Sequence, residues 1–255
     1  MMIWLSHFIV SKGGIIFAAL VVLMLLERAF PMVKVRSNLN RIARNFSLAG
    51  FNALLGPLII IPITLYAAGF ALHWRPEWWS GWTGLVIDLL ILDCWIYGWH
   101  RLNHVAPVLW RFHEVHHLDE NLDATSALRF HFGEVILSSL VRAGVILLFG
   151  VPFLNVVIFE TLVTVAAIFH HSNLKLPEKI DAILSRIIVT PSLHWVHHHA
   201  LRGDTDSNYS TILSVWDRIF ASRNIAKFNS TMKMGVEGLS DMQILRLILR
   251  PFFKL

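Results

Sequence analysis

The stretch GLVIDLLILDCWIYGWHRLNH, residues 84–104, decides how this chain folds. From Gly84 to Trp99 it is apolar enough to enter a bilayer as a helix, yet it carries Asp88 and Asp93 and runs directly into His100 and His104. A carboxylate that deep in a span is costly unless it is paired, so both aspartates ask for a partner. On an α-helix, residues one turn apart share a face, which puts Asp93, Tyr97, His100 and His104 on one side. The segment therefore reads as a membrane helix that delivers two imidazoles at its end.

Two further clusters follow at helical spacing, His113-Glu114-Val115-His116-His117 and His194-Trp195-Val196-His197-His198. Positions i, i+3 and i+4 fall on one helix face, so each His-x-x-His-His can aim three imidazoles at one point. Convergence of His100, His104, His113, His116, His117, His194, His197 and His198 implies more than one metal ion. A structural zinc closes with four ligands and a catalytic zinc takes three, whereas this set can hold two ions with open positions. The single cysteine, Cys94, excludes both an intramolecular disulfide and a thiolate cluster, leaving nitrogen and oxygen ligands.

Composition gives the setting. The chain has 255 residues, of which 55% are hydrophobic and 15% charged, with a mean hydropathy of +0.58. That is too apolar for a soluble domain of this size. The ten tryptophans fit a membrane protein, and Trp74, Trp78, Trp79 and Trp82 crowd one short stretch that suits the headgroup level.

Apolar stretches of spanning length run from about Phe8 to Leu26, Phe46 to Leu72, Gly84 to Trp99, Glu134 to Phe153 and Asn155 to Phe169. The first lacks a small-residue cleavage site and reads as a retained helix. Pro57 and Pro62 are expected to kink the second. The basic loop holding Arg28, Lys34, Arg36, Arg41 and Arg44 faces the cytoplasm by the positive-inside rule. The clustered histidines, including His131, His170, His171 and His199, then all fall on the cytoplasmic side, and His7 and His73 on the other. Incidental histidines would scatter across both faces. The fold class is thus an all-α integral membrane protein of about four to five transmembrane helices with a cytoplasmic helical cap and a histidine-rich di-metal site. As one domain, 1–255, it divides into three spans (1–99), the first histidine clusters (100–133), a helical hairpin (134–171) and the cap with the last cluster (172–255). An amphipathic helix is expected from about Leu239 to Phe252.

The residues around the histidines carry a resemblance. Asp93 to His104, Trp110 to His117, Thr190 to His198, Asn208-Tyr209 and Ser214 to Phe220 resemble the fatty acid hydroxylase/sterol desaturase superfamily, in particular its bacterial branch that is similar to alkylglycerol monooxygenase. The resemblance spans roughly Asp88 to Phe220. It implies a membrane-bound oxidoreductase with two histidine-ligated iron ions that uses O2 to hydroxylate or desaturate a C–H bond of a fatty acyl, sterol-like or alkyl-ether lipid. Imidazole alone does not select iron, since it suits Zn, Cu and Ni as well. One departure is Arg129-Phe130-His131-Phe132-Gly133-Glu134, which lacks the proline of the usual Arg-x-His-Pro-x-Glu. His171 resembles a family ligand position and joins the eight, with His131 as a further candidate and His170 a weaker one. His199, at i+5 from His194, rotates off the ligand face. Asp93, Tyr97, Glu114 and Asn208 are the candidates for hydrogen bonds that orient the ligands, with a solvated or Arg-paired carboxylate the alternative for Glu114 and a turn cap that for Asn208.

Two rivals use the same residues. His113-Glu114-x-x-His117 also satisfies the zinc metalloprotease pattern, with Glu114 as general base, but leaves the other histidines unexplained. A non-enzymatic metal carrier predicts ligands spread along the spans near the midplane. No Gly-x-Gly-x-x-Gly fingerprint or haem module is present, so electrons are expected from a separate reductase with a ferredoxin or b-type cytochrome. The isoelectric point near 9.7 suits an acidic donor, though the positive-inside bias explains it equally. The expected location is a bacterial inner membrane, with a lipid partner and no nucleic acid.

Overall fold

Helix α1 (Met2–Ala29) is followed by a short link and then by α2 (Leu39–Leu55), which meets Pro57 and Pro62. Each proline removes a backbone donor and presses its ring on the preceding turn. In this computed structural model, which describes residues 2–34 and 38–253 with side chains from residue 11, the helix does not break there. It widens into a π turn over Gly56–Ile60, closed by the Ile61 N–H on the Gly56 carbonyl, and continues as α3 (Ile61–Gly69). The expected kink is therefore a local π turn.

Next come α4 (Gly81–Val105), α5 (Pro107–His117), a 3₁₀ turn (Ala124–Leu128), α6 (Phe132–Phe149) and α7 (Phe153–His171). Among the described residues, four helical segments are long and apolar enough to cross a membrane: Leu39–Gly69, Gly81–Val105, Phe132–Phe149 and Phe153–His171. The chain is an all-helical integral membrane protein. Short helices α8 (Glu178–Leu184), α9 (Pro191–His197), α10 (Arg202–Thr205), α11 (Val215–Ile219) and α12 (Ile244–Leu249) build the remainder.

The core of the span bundle joins α3, α4, α6 and α7 through Ala67, Leu92, Ile146, Val156 and Phe159, all buried. At the end of the bundle away from the histidines, Asp88 gathers the tryptophan-rich loop. Its carboxylate accepts from Arg75 at 2.9 and 3.1 Å, Trp79 Nε1 at 3.0 Å and Asn155 at 2.7 Å. The partner that its depth demanded is Arg75, so Asp88 serves the loop at the end away from the histidines. Arg75 also donates to the Gly150 carbonyl at 2.6 Å. Gly150 turns α6 into α7 at φ +65°, and a Cβ there would lie 3.0 Å from the Arg75 side chain and 3.1 Å from the Leu72 carbonyl. Only glycine fits that corner comfortably.

At the other end, two expectations change. The helix expected over Leu239 to Phe252 is confined to α12, and it is docked rather than surface-lying: Leu247 is fully buried against Leu48, Val115 and Leu118. The basic residues are also more than a topogenic loop. Arg41 is buried on the first turns of α2, where it donates to Asp119 at 2.8 Å and pairs with Asp123, while Arg44 pairs with Asp241. Arg129, with no exposed surface, donates to the Val115 carbonyl at 2.8 Å and to Asn45, and pairs with Asp241. Burial alone would raise the Asp119 carboxyl, but Arg129 and Arg41 hold it below the usual carboxylate range. Arg36 lies outside the described residues, as does the side chain of His7.

Candidate metal centre

Pro107 explains how two histidine clusters come to face each other. Proline at the first helical position loses nothing by lacking an N–H, so α5 starts immediately after α4 ends and folds back on it. His113 and His117 thereby meet His100 and His104. Pro191 opens α9 in the same way, bringing His194, His197 and His198 against them.

Among the described residues, nine histidines converge in two groups. His100, His104, His113, His117 and His197 form one, and His116, His171, His194 and His198 the other; within each, the ligand nitrogens all lie within 4.8 Å of one another. The groups abut, with His117 and His198 stacked at 4.3 Å between ring centroids.

The hydrogen bonds fix which nitrogen is offered. A carbonyl or carboxylate can only accept, so an imidazole nitrogen facing one carries the proton. Nδ1 donates to the Tyr209 carbonyl from His100 (2.7 Å), to Asp206 from His104 (3.2 Å), to Glu134 from His113 (2.9 Å) and to the Arg129 carbonyl from His116 (3.1 Å). The same nitrogen donates to the Ala167 carbonyl from His171 (2.7 Å) and to the Ser207 carbonyl from His197 (2.6 Å). In all six, Nε2 is left with a lone pair. The Nε2 atoms of His100, His104 and His197 are buried with no hydrogen-bond partner. His116 and His171 place their Nε2 atoms 3.0 Å apart, lone pair against lone pair. That contact repels unless a cation is shared between the two rings, and the donor set therefore fits metal ions in both groups.

Burial disfavours the charged form of an imidazole. It pushes His116, His117, His194 and His198 far below the ordinary imidazole value and His197 down to about 3. A neutral imidazole is the form that binds metal.

Beside the histidines lies a cavity of about 550 Å³, lined at one end by His100, His113, His116 and His171 and along its length by apolar residues of the spans such as Ile16, Ile60, Ile96 and Val163.

The structure places the remaining candidates elsewhere. His131 has both nitrogens engaged: Nδ1 accepts from the Gly133 N–H at 2.9 Å, capping α6, and Nε2 donates to the Ile248 carbonyl at 3.0 Å. It caps α6 and stands in neither histidine group. Asp93 accepts from the N–H groups of Ile212 (3.3 Å) and Leu213 (3.1 Å) and from Trp216 Nε1 (2.8 Å), so it anchors the segment entering α11 and touches no histidine. Tyr97 bonds the Ser222 hydroxyl at 2.9 Å and stacks on Phe220. Asn208, left-handed at φ 52°, donates to the Leu193 carbonyl at 3.2 Å and accepts from the Asn224 N–H, which shapes a turn. Glu114 accepts from Arg250 at 2.8 Å, a pairing that leaves the metalloprotease pattern without its base. His170 packs on His194, centroids 3.9 Å apart, in neither group. His199 turns away to Asp204 at 2.7 Å. The sequence reading missed Glu134, Asp206 and Asn103, which donates to Glu134 at 3.2 Å. Glu134 closes the Arg129-to-Glu134 run, which was the one available signal.

Residues 85–222 match the family model described as fatty acid hydroxylase. The chain belongs to the fatty acid hydroxylase family. All nine grouped histidines fall inside the matched region. It is 25% identical to the ornithine lipid hydroxylase OlsE of Rhizobium tropici over 197 residues, 77% of this chain and 58% of that protein. It is 30% identical to human alkylglycerol monooxygenase over 145 residues, 57% of this chain and 31% of that one. With rat cholesterol 25-hydroxylase it shares 22% over 196 residues, 72% of this chain and 62% of that protein. The chain thus spans from about a third to three fifths of the length of these relatives. No solved structure matches it.

Proposed function

We propose that this protein is a membrane-bound oxygenase that holds two iron ions in its two histidine groups and uses O2 to hydroxylate a C–H bond of a lipid. The observation that carries the reading is the pair of Nε2 lone-pair clusters opening on a cavity whose other walls are membrane-helix side chains. His100, His104, His113, His117 and His197 would hold one ion and His116, His171, His194 and His198 the other. Bound there, the metal pair supplies O2 activation and the oxidant for an unactivated C–H bond. The chain's own part is to bind and orient. Backbone carbonyls and Glu134 lock the imidazoles in one tautomer, and the apolar wall holds an alkyl chain against the open side while excluding water. Hydroxylation is favoured over desaturation because the relatives with known activity are named as hydroxylases and monooxygenases.

The histidine groups lie on the same end of the bundle as the paired arginines of α2, which supports a cytoplasmic metal site in a bacterial inner membrane. Electrons would come from a separate donor. Metal analysis of the purified protein is expected to find about two iron ions per chain. Comparing total-lipid mass spectra of cells with and without the gene, grown with oxygen, is expected to show an oxygenated lipid only in the former. One metal per chain with full activity, or the same product made anaerobically, would overturn the reading.

A further inference from the structure

The cavity beside the histidines has a second polar end. Along α6, Arg142 sits eight residues beyond Glu134, about 12 Å further into the span at 1.5 Å per residue. There Arg142 donates to Glu160 of α7 at 2.6 Å, Lys12 of α1 pairs with the other oxygen of the same carboxylate, and all three side chains line the cavity wall. Arg142 is held from behind by the Trp95 ring at 6.0 Å, and its Nε is buried without a hydrogen-bond partner. Two cations thus share one carboxylate in an apolar slab. The other carboxylate on the wall, Glu134, is engaged at the far end by His113 and Asn103.

A pair alone would tie the helices together. The extra cation is what a purely structural bridge does not need, because an uncompensated charge at this depth is costly. It is compensated when a ligand brings an anionic oxygen. The surplus cation and the cavity wall coincide at one point, with the histidine groups at the opposite end of the same space.

We infer that Arg142 and Lys12 form a recognition site for the anionic oxygen of a lipid, a carboxylate or phosphate, whose alkyl chain runs along the cavity to the histidine groups. This rests on the reading of the protein as a lipid oxygenase and adds its substrate class: an acidic lipid attacked on its alkyl chain, away from its charged group. Position along the chain would then be set by the spacing between Arg142 and the metals, and neutral lipids of equal length would bind poorly.

Binding can be separated from chemistry. Palmitate, hexadecyl phosphate and hexadecanol are titrated into the purified metal-loaded protein in detergent without oxygen, following quenching of tryptophan fluorescence. One of the two acids is expected to bind at least about tenfold more tightly than the alcohol, as a charge-assisted hydrogen bond implies, and which one does so distinguishes carboxylate from phosphate. Arg142→Gln should erase the preference and Arg142→Lys retain most of it, with metal content unchanged in both. Since loss of Arg142 also strands Glu160, Lys12→Met provides a second variant: it keeps the Arg142–Glu160 pair, removes the surplus charge and should still lower the preference. Equal binding of acid and alcohol by the wild type, or an undiminished preference in both Arg142→Gln and Lys12→Met, would overturn the site. An acid preference in a protein that oxygenates nothing would instead leave the site standing and overturn the oxygenase reading.

Discussion

His113 shows what spacing reveals and what it hides. Its place in His-x-x-His-His announces a ligand, because helical geometry is local and can be counted along the chain. Its hydrogen-bond partner, Glu134, is 21 residues away on another helix, and nothing local distinguishes Glu134 from Glu114, the carboxylate next door. Tertiary packing gives Glu134 to the histidine groups and Glu114 to Arg250. Glu134→Ala should therefore weaken metal binding by roughly 10–100-fold, the usual cost of losing a partner that orients a ligand, measured by competition with a chelator. Glu114→Gln should leave metal affinity unchanged; an effect as large as that of Glu134→Ala would return the metalloprotease pattern to consideration. His131 makes the same contrast among histidines. His131→Asn, which preserves a side chain able to cap α6, should retain the full metal content, whereas His104→Ala should lose it.

At the scale of elements, the long helices were legible because a bilayer demands a length and a polarity that composition displays. Boundaries moved by a few residues, and the proline-bearing span became a π turn rather than a sharp break. Past His171 the histidine spacing announced α9, and apolar periodicity announced α12 with overlong bounds, but α8, α10 and α11 were not legible. They are held by side chains from elsewhere in the chain, as Asp93 shows: the helix face it shares with His100 suggested a metal-site role, but it reaches across to the N–H groups of Ile212 and Leu213 and the Trp216 indole. Periodicity identifies a face, and only the fold supplies what the face meets. Replacing Asp93 by alanine strands three donors in a buried place, each worth about 1 kcal/mol or more. Thermal unfolding in detergent should record a loss of roughly 2–4 kcal/mol, with metal content falling only as the 212–216 segment loosens. Asp93→Asn, which keeps one acceptor oxygen, should lose less.

At the scale of the molecule, the histidine site is a concentration of buried neutral bases, and this makes the metal-free protein sensitive to acid. His116, His117, His194 and His198 sit far below the ordinary imidazole pKa, and His197 at about 3, chiefly because burial disfavours the charged ring. In the unfolded chain the same side chains titrate near about 6.5. Between these limits the unfolded state binds more protons than the folded one, so stability must fall as the pH drops. Stripped of metal, the protein should hold its stability above about pH 6.5 and lose up to about 1.4 kcal/mol per pH unit for each ring that is protonated on unfolding. Bound metal adds stability through ligands that exist only in the fold, so the loaded protein should tolerate lower pH until protons displace the ion. Thermal unfolding of the chelated and the loaded protein across pH 4.5 to 8 (about the range over which histidine changes charge) should give two curves separated throughout, with the chelated one bending down first. Parallel curves flat through pH 6 would mean that these imidazoles are solvated in the folded protein, and the buried two-metal arrangement would fall with them.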